Sequence, residues 1–180
     1  MTFRKKEANE IRLDGQYAYI QIQSSGGQPV IEARIDAADM ERVVSSGLHW
    51  YVSKNWKTTY VLAALPRGGE KRRVVSLHRF ILDTSHGQAV DHVNGDGLDN
   101  TQGNLRLASC AQNAQNRRLY STNKTGFKGV YQRGRKWAAA IGINRRSVNL
   151  GVFETPELAA AAYNEAAAYH FGEYARLNAV

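Results

Sequence analysis

The stretch Gln88-Ala89-Val90-Asp91-His92-Val93-Asn94-Gly95-Asp96-Gly97-Leu98-Asp99-Asn100, with Asn104 and Asn113 downstream, decides how this chain reads. Gln88 to His92 has the composition of a short strand, and Asn94 to Asn100 that of a polar, glycine-bearing loop. Leu105-Arg106-Leu107 predicts a brief second strand. Ser109 is an expected N-cap for a helix from Cys110 to about Arg118. The expected order is strand, loop, strand, helix. Asn104 lies twelve residues after His92, and Asn113 follows nine residues later.

The residue types in this order point to phosphodiester chemistry. Asp91 offers a carboxylate and Asn113 a neutral amide oxygen, a sparse all-oxygen set that suits a magnesium-like ion keeping several waters. Such an ion neutralises a leaving oxygen. His92 is the candidate general base for an attacking water. Asn104 either orients His92 or ties the loop to the strand. Neighbours on a strand point to opposite faces, so Asp91 and His92 are expected where the strand ends and twists.

Working outward, residues 11–82 are rich in aromatic and β-branched residues. Ala18, Ile20 and Ile22 alternate with Tyr17, Tyr19, Gln21 and Gln23, which predicts a strand. Val30 to Ile35 is a second candidate. Asp36 to Glu41 reads as a capped short helix with acidic residues in its first turn. Strands are expected at 49–53 and 58–65, with a turn near Lys54-Asn55. Arg67, Lys71, Arg72 and Arg73 form a basic patch that suits either phosphate or a solvated hairpin. Leu77 to Leu82 leads into a Ser/Gly turn. Residues 119–125 read as a linker. Beyond it, strands are expected near 127–133, 136–143 and 147–153. A helix then starts with Thr155 as N-cap and Pro156 at its first position, runs through Leu158, Tyr163 and Tyr169, and stops at Gly172.

Composition bounds the partner. The 180 residues carry a formal net charge of +8, which favours nucleic acid over an anionic membrane. Residues 121–146 hold seven cations and no acid, whereas residues 147–180 hold four glutamates and only Arg176. The predicted sheet is therefore positive and the predicted helix negative, which places nucleic acid on the sheet face. Cys110 is the single cysteine, which excludes an internal disulfide and a Cys-x-x-Cys zinc knuckle. It is expected as a small buried residue near a helix start. The first residues lack the apolar run of a signal peptide, and no window approaches the roughly 20 apolar residues of a membrane span. An intracellular protein is expected.

Two resemblances add to this reading. Leu77-His78-Arg79, Asp91 to Asp96, Leu98-Asp99-Asn100, Asn104-Leu105-Arg106 and Asn113 to Arg117 resemble the HNH endonuclease family of ββα-metal fold. The third motif letter is asparagine here, as in many phage and intron-encoded members. The resemblance implies Asp91 and Asn113 as metal ligands, His92 as base and Asn104 as its support. It also implies one magnesium or manganese ion per site, and hydrolysis of double-stranded DNA to 5′-phosphate and 3′-hydroxyl ends. His78 matches a recurrent histidine of the family and is expected either in the core or at substrate. Arg79 and Arg106 are expected at phosphates near the cut. Arg117 and Arg118 suit either phosphate or the helix dipole. His49, His86 and His170 are expected to be structural.

Phe127 to Tyr131, Trp137 to Ile141, Leu150 to Phe153, Thr155 to Asn164 and Ala175 to Asn178 resemble the plant ethylene-response-factor (apetala-type) DNA-binding domain. That family lays a three-stranded sheet in the major groove with a helix behind it. Lys128, Tyr131, Arg133, Arg135, Lys136, Arg145 and Arg146 are the contact candidates, and Trp137 is expected in the core. Tyr131, Ala140, Gly142 and Asn149 depart from the plant pattern, so the plant target sequence does not carry over.

The resulting expectation is an α+β chain in three parts. Residues 1–118 form an endonuclease domain (β-rich 11–74, ββα-metal core 75–118), 119–125 a linker, and 126–180 a DNA-binding domain of three strands and one helix. A monomer is favoured. The alternative is a non-cleaving, sequence-specific DNA-binding regulator on a relic nuclease fold.

Overall fold

A computed structural model describes residues 8–23, 29–55, 58–66, 73–84, 88–120 and 122–180. The chain is mixed α+β, with small antiparallel sheets and few helices, and it divides into two compact units, Met1–Ala108 and Ser109–Val180. The division falls before the expected helix at 110, rather than at the expected linker 119–125. Of the basic patch, Arg67, Lys71 and Arg72 lie outside the described residues, as does His86; Arg73 is exposed.

The first unit holds two three-stranded antiparallel sheets and a hairpin. β1 (Ile11–Asp14), β2 (Tyr17–Ile22) and β3 (Ile31–Asp36) form one sheet in that order. The alternation in β2 does what a half-buried strand requires: Ala18, Ile20 and Ile22 are buried while Tyr17, Tyr19 and Gln21 stay partly exposed. A 3-10 turn at Ala37–Asp39 leads into α1 (Met40–Ser45). β4 (Trp50–Asn55), β5 (Thr58–Ala64) and β6 (Val74–Ser76) form the second sheet, followed directly by α2 (Leu77–Leu82). β1, β6 and α2 are too short to carry a periodic signal, so the sequence alone does not single them out. One core joins these elements, with Ile20, Ile35, Trp50, Val61 and Leu77 fully or almost fully buried. Val90 and Leu105 also belong to this core. They come from the hairpin of β7 (Ala89–His92) and β8 (Leu105–Ala108).

The second unit begins with α3 (Cys110–Gln115). Ser109 accepts from the Gln112 backbone N–H while the Gln112 side chain accepts from the Ser109 N–H, a reciprocal capping box. α3 stops at Gln115, three residues short of the expected Arg118. Cys110 is exposed rather than buried, because the capped first turn of α3 lies at the surface. β9 (Val130–Arg133), β10 (Lys136–Ile143) and β11 (Arg146–Phe153) form an antiparallel sheet ordered β11-β10-β9. α4 (Pro156–Phe171) is capped by Thr155 and has Pro156 at its start, as expected.

α4 packs on the sheet through Ala159, Ala160, Tyr163 and Ala167, spaced three, four and one residues apart on one helical stripe. Alanines let the helix approach closely, and Trp137, Leu150 and Phe153 fill the margins. Leu158 and Tyr169 fall outside that stripe and are exposed. Gly129 (φ 76) is the tightest point: a Cβ there would meet the Tyr163 ring at 2.1 Å and the Ala140 carbonyl at 2.6 Å. Asn178 pins the tail by exchanging hydrogen bonds with the Lys128 backbone and with Asn164. Among the described residues, no helix is long and apolar enough to cross a membrane.

Candidate active site

The β7–β8 register places Asp91 directly opposite Arg106 and His92 opposite Leu105. The pleat then sorts the side chains. Asp91 and Arg106 share one face; His92 shares the other with the core residues Val90 and Leu105. His92 is also the last residue of β7, where the chain leaves the strand. Asp91 and His92 are both buried, at 4% and 5% exposure.

Asp91 is neutralised within the hairpin. Arg106 donates through Nε at 3.0 Å and Nη2 at 2.7 Å, both to Asp91 Oδ2. The sequence alone assigns Arg106 to a substrate phosphate. The structure instead makes it the cross-strand partner of Asp91, because a hairpin register sets those two positions side by side.

His92 belongs to a ring cluster. The His78 ring stands perpendicular to it with centroids 5.0 Å apart, and the Tyr60 ring lies 5.9 Å away. Burial pushes the His92 pKa down, against the upward pull of Asn100 and of Asp91, Asp96 and Asp99. Burial, then the like charges of His92 and Arg79, pushes His78 down to about 3. Burial thus favours the neutral form of both imidazoles. His78 Nε2 lies 3.0 Å from Ser76 Oγ, while its buried Nδ1 has no hydrogen-bond partner among the described residues.

The group facing His92 Nε2 is Asn100, with Oδ1 at 3.4 Å. Asn104 serves the loop. Its Nδ2 donates to Asn94 Oδ1 and to the Asp99 carbonyl, and its Oδ1 accepts from the Asn94 N–H. Of the two roles open in the sequence, these bonds describe loop anchoring. Asn100, fully buried, is a site residue that sequence reasoning missed, although it lies within the Leu98-Asp99-Asn100 motif. Its signal is a polar residue at the end of a loop whose glycines permit close packing.

The loop from Asn94 to Asn104 is fixed on several sides. Its backbone pairs with β3 through the Arg34 N–H to the Leu98 carbonyl (2.8 Å) and the Asn100 N–H to the Arg34 carbonyl (2.7 Å). The Arg34 guanidinium grips both oxygens of Asp99 at 3.2 and 2.6 Å. Burial raises the Asp99 pKa, but the bonds from Arg34 and Thr101 outweigh it and hold the carboxyl below its ordinary range. Asp36 accepts from the Gln102 N–H at 2.7 Å. Gly97 completes the seat: a Cβ there would lie 2.2 Å from the Thr59 carbonyl of β5.

Asn113 is an exposed residue of α3 in the second unit. Arg79 is partly exposed in α2, and Arg117 is exposed beyond α3, where it donates to the Tyr120 hydroxyl at 2.7 Å. Lys128, expected at phosphate, turns its ammonium toward the Gln115 and Arg117 carbonyls. Lys136 is exposed and paired with Glu154. Tyr131, Arg133, Arg135, Arg145 and Arg146 are exposed on the strands and turns of the second sheet. The acidic Glu157 and Glu165 are exposed on α4, so the charge polarity read from the sequence is present in the fold. Among the described residues, no three His, Cys, Asp or Glu side chains gather into a metal-binding group.

No family model and no solved structure matches the chain. A curated protein of Acanthamoeba polyphaga mimivirus, named an uncharacterized HNH endonuclease, is 31% identical over 144 residues. The match takes in 76% of this chain and 70% of that relative.

Proposed function

The chain belongs to the HNH endonuclease family, and from that premise we propose that it hydrolyses phosphodiester bonds in double-stranded DNA with one magnesium or manganese ion per site. The observation that carries the reading is the buried His92 at the end of β7, its neutral form favoured by burial, beside the Asp91 carboxylate. The Asp91 carboxylate would hold the ion; its hard oxygens fit a cation that retains waters. Bound there, the ion supplies charge neutralisation at the leaving oxygen.

The chain's own residues do the rest. Asn100 Oδ1 accepts the proton of His92 Nε2 and so orients the ring. His92 takes the proton of the attacking water. Asn104 acts one step removed, by holding the loop that carries Asn100. Arg79 and Arg117 grip flanking phosphate. Tyr131, Arg133, Arg135, Arg145 and Arg146 hold the duplex and target the cut, in the manner of an apetala-type sheet. Arginines read guanine edges as well as phosphate.

One observation favours the second reading, a DNA-binding regulator that does not cut. The Asp91 carboxylate is already neutralised by Arg106. A supercoiled-plasmid assay separates the two. In the nuclease reading, magnesium supports relaxation or linearisation by the wild type, and His92→Ala binds DNA without cutting. A wild type that binds duplex DNA yet never cuts it in magnesium or manganese overturns the nuclease reading and leaves the regulator.

A further inference from the structure

The second unit contains a cavity of about 470 Å³ bordered by α3, the β10–β11 turn and α4. That volume lies within the ~300–1,000 Å³ typical of small-ligand sites. Its lining divides by chemistry. Ala114 and Ile141 are apolar, Tyr163 and Phe171 aromatic, Lys128 and Arg145 cationic, and no acid is among the described residues that line it.

One of the two cations, Lys128, is held in place by the fold. Lys128 donates to the Gln115 and Arg117 carbonyls, which uses two of its three ammonium protons. Burial, then repulsion from Arg176 and Arg117, pushes Lys128 down to about 8, so an anion placed there relieves a like-charge conflict. Arg145 stands in a tight turn with φ 64, preceded by Asn144 at φ 49. The partly exposed Phe171 and the exposed Ala114, over the buried Tyr163 and Ile141, give an apolar floor beside two cations, which suits a flat ring that carries a phosphate. The ring is held by stacking and the phosphate by charge-assisted hydrogen bonds.

We propose that this cavity binds a deoxynucleotide, with the base against Phe171 and the phosphate on Lys128 and Arg145. The same chemistry is offered by a free nucleotide and by a base turned out of a DNA strand. The proposal rests on the cavity and its cations, not on the nuclease reading.

The test is calorimetric titration of the full chain with dAMP, deoxyadenosine and inorganic phosphate. Ala114→Phe fills the cavity from an exposed helical position, and Arg145→Asn removes the guanidinium at a φ that asparagine tolerates. The expected result is that dAMP binds, that both partial ligands bind at least about tenfold more weakly, and that each variant weakens dAMP by about tenfold. A duplex with one unpaired adenosine that binds more tightly than the paired duplex, in the wild type but not in Ala114→Phe, identifies the strand as the source. Equal duplex affinities with dAMP binding intact identify the free nucleotide. The proposal is overturned if dAMP does not bind, if Ala114→Phe binds it undiminished, or if phosphate alone binds as well. Plasmid cutting is read separately, so failure of either idea leaves the other standing.

Discussion

The two compact units use charge in opposite ways. In the first, charged side chains around the β7–β8 hairpin are paired with buried carboxylates: Arg106 with Asp91, and the partly exposed Arg34 with Asp99. In the second, the cations of the sheet stay at the surface, and an ion pair at its edge, Lys136 with Glu154, is exposed. Buried pairs fix geometry, because removing one partner strands a charge away from water. Exposed cations attract a polyanion at little structural cost, and salt screens them. A single basic chain thus holds one region whose charges fix geometry and another whose cations face solvent.

The sharpest way to break that contrast is at Arg106. Arg106→Met removes both guanidinium bonds from the buried Asp91 carboxylate and is expected to destabilise the protein by about 3–5 kcal/mol in urea unfolding. The double variant Asp91→Leu/Arg106→Met recovers most of the loss. Lys136→Met, at the exposed pair, leaves the unfolding curve where it was. If Arg106→Met and Lys136→Met behave alike, the contrast between the units fails.

Glycine substitutions come next, two in the first unit and one in the second. Gly97→Ala drives a methyl into the Thr59 carbonyl and is expected to cost about 1–3 kcal/mol by thermal unfolding. Gly103→Ala, with open space around it, costs nothing measurable. Gly129→Ala meets the Tyr163 ring and adds about 1–2 kcal/mol for a left-handed backbone, so it exceeds Gly97→Ala. Smaller again are the helix caps: Ser109→Ala and Thr155→Ala are each expected to lose about 1 kcal/mol. The smallest stability effects belong to Arg133→Ala and Arg146→Ala, within about 0.5 kcal/mol. Their effect shows in binding, where the slope of log affinity against log salt falls by about 1 for each phosphate the variant no longer grips.

Much of the second unit is legible in the sequence because its signals are local. Thr155-Pro156 announces a helix start, Gly172 a stop, and three strands separated by tight turns need only neighbouring residues to form. The same holds for β2, whose alternation is a direct image of its two faces. What the sequence hides depends on register. Nothing local says that Arg106 stands opposite Asp91 rather than beside a phosphate; that follows only once the hairpin pairs. Asn100 is visible as part of a motif, but its place at His92 requires the loop to be seated by Arg34, Asp36 and Gly97. Those three residues precede Asn100 at separations that no single periodicity spans. Cys110 misleads for a related reason, since a helix start announces its cap but not which side meets solvent.

The grouping of α3 with the second unit has an evolutionary edge. Chains assembled from exchangeable parts are cut most safely where few interactions cross. A breakpoint after Arg118 keeps every motif residue from Asp91 to Asn113 on one side. It nevertheless severs the Lys128 ammonium from the Gln115 and Arg117 carbonyls that it holds. A breakpoint between Ala108 and Ser109 keeps that clasp but parts Asn113 from the hairpin sequence. Neither cut is clean, so the two ends of this chain are expected to be inherited together rather than shuffled.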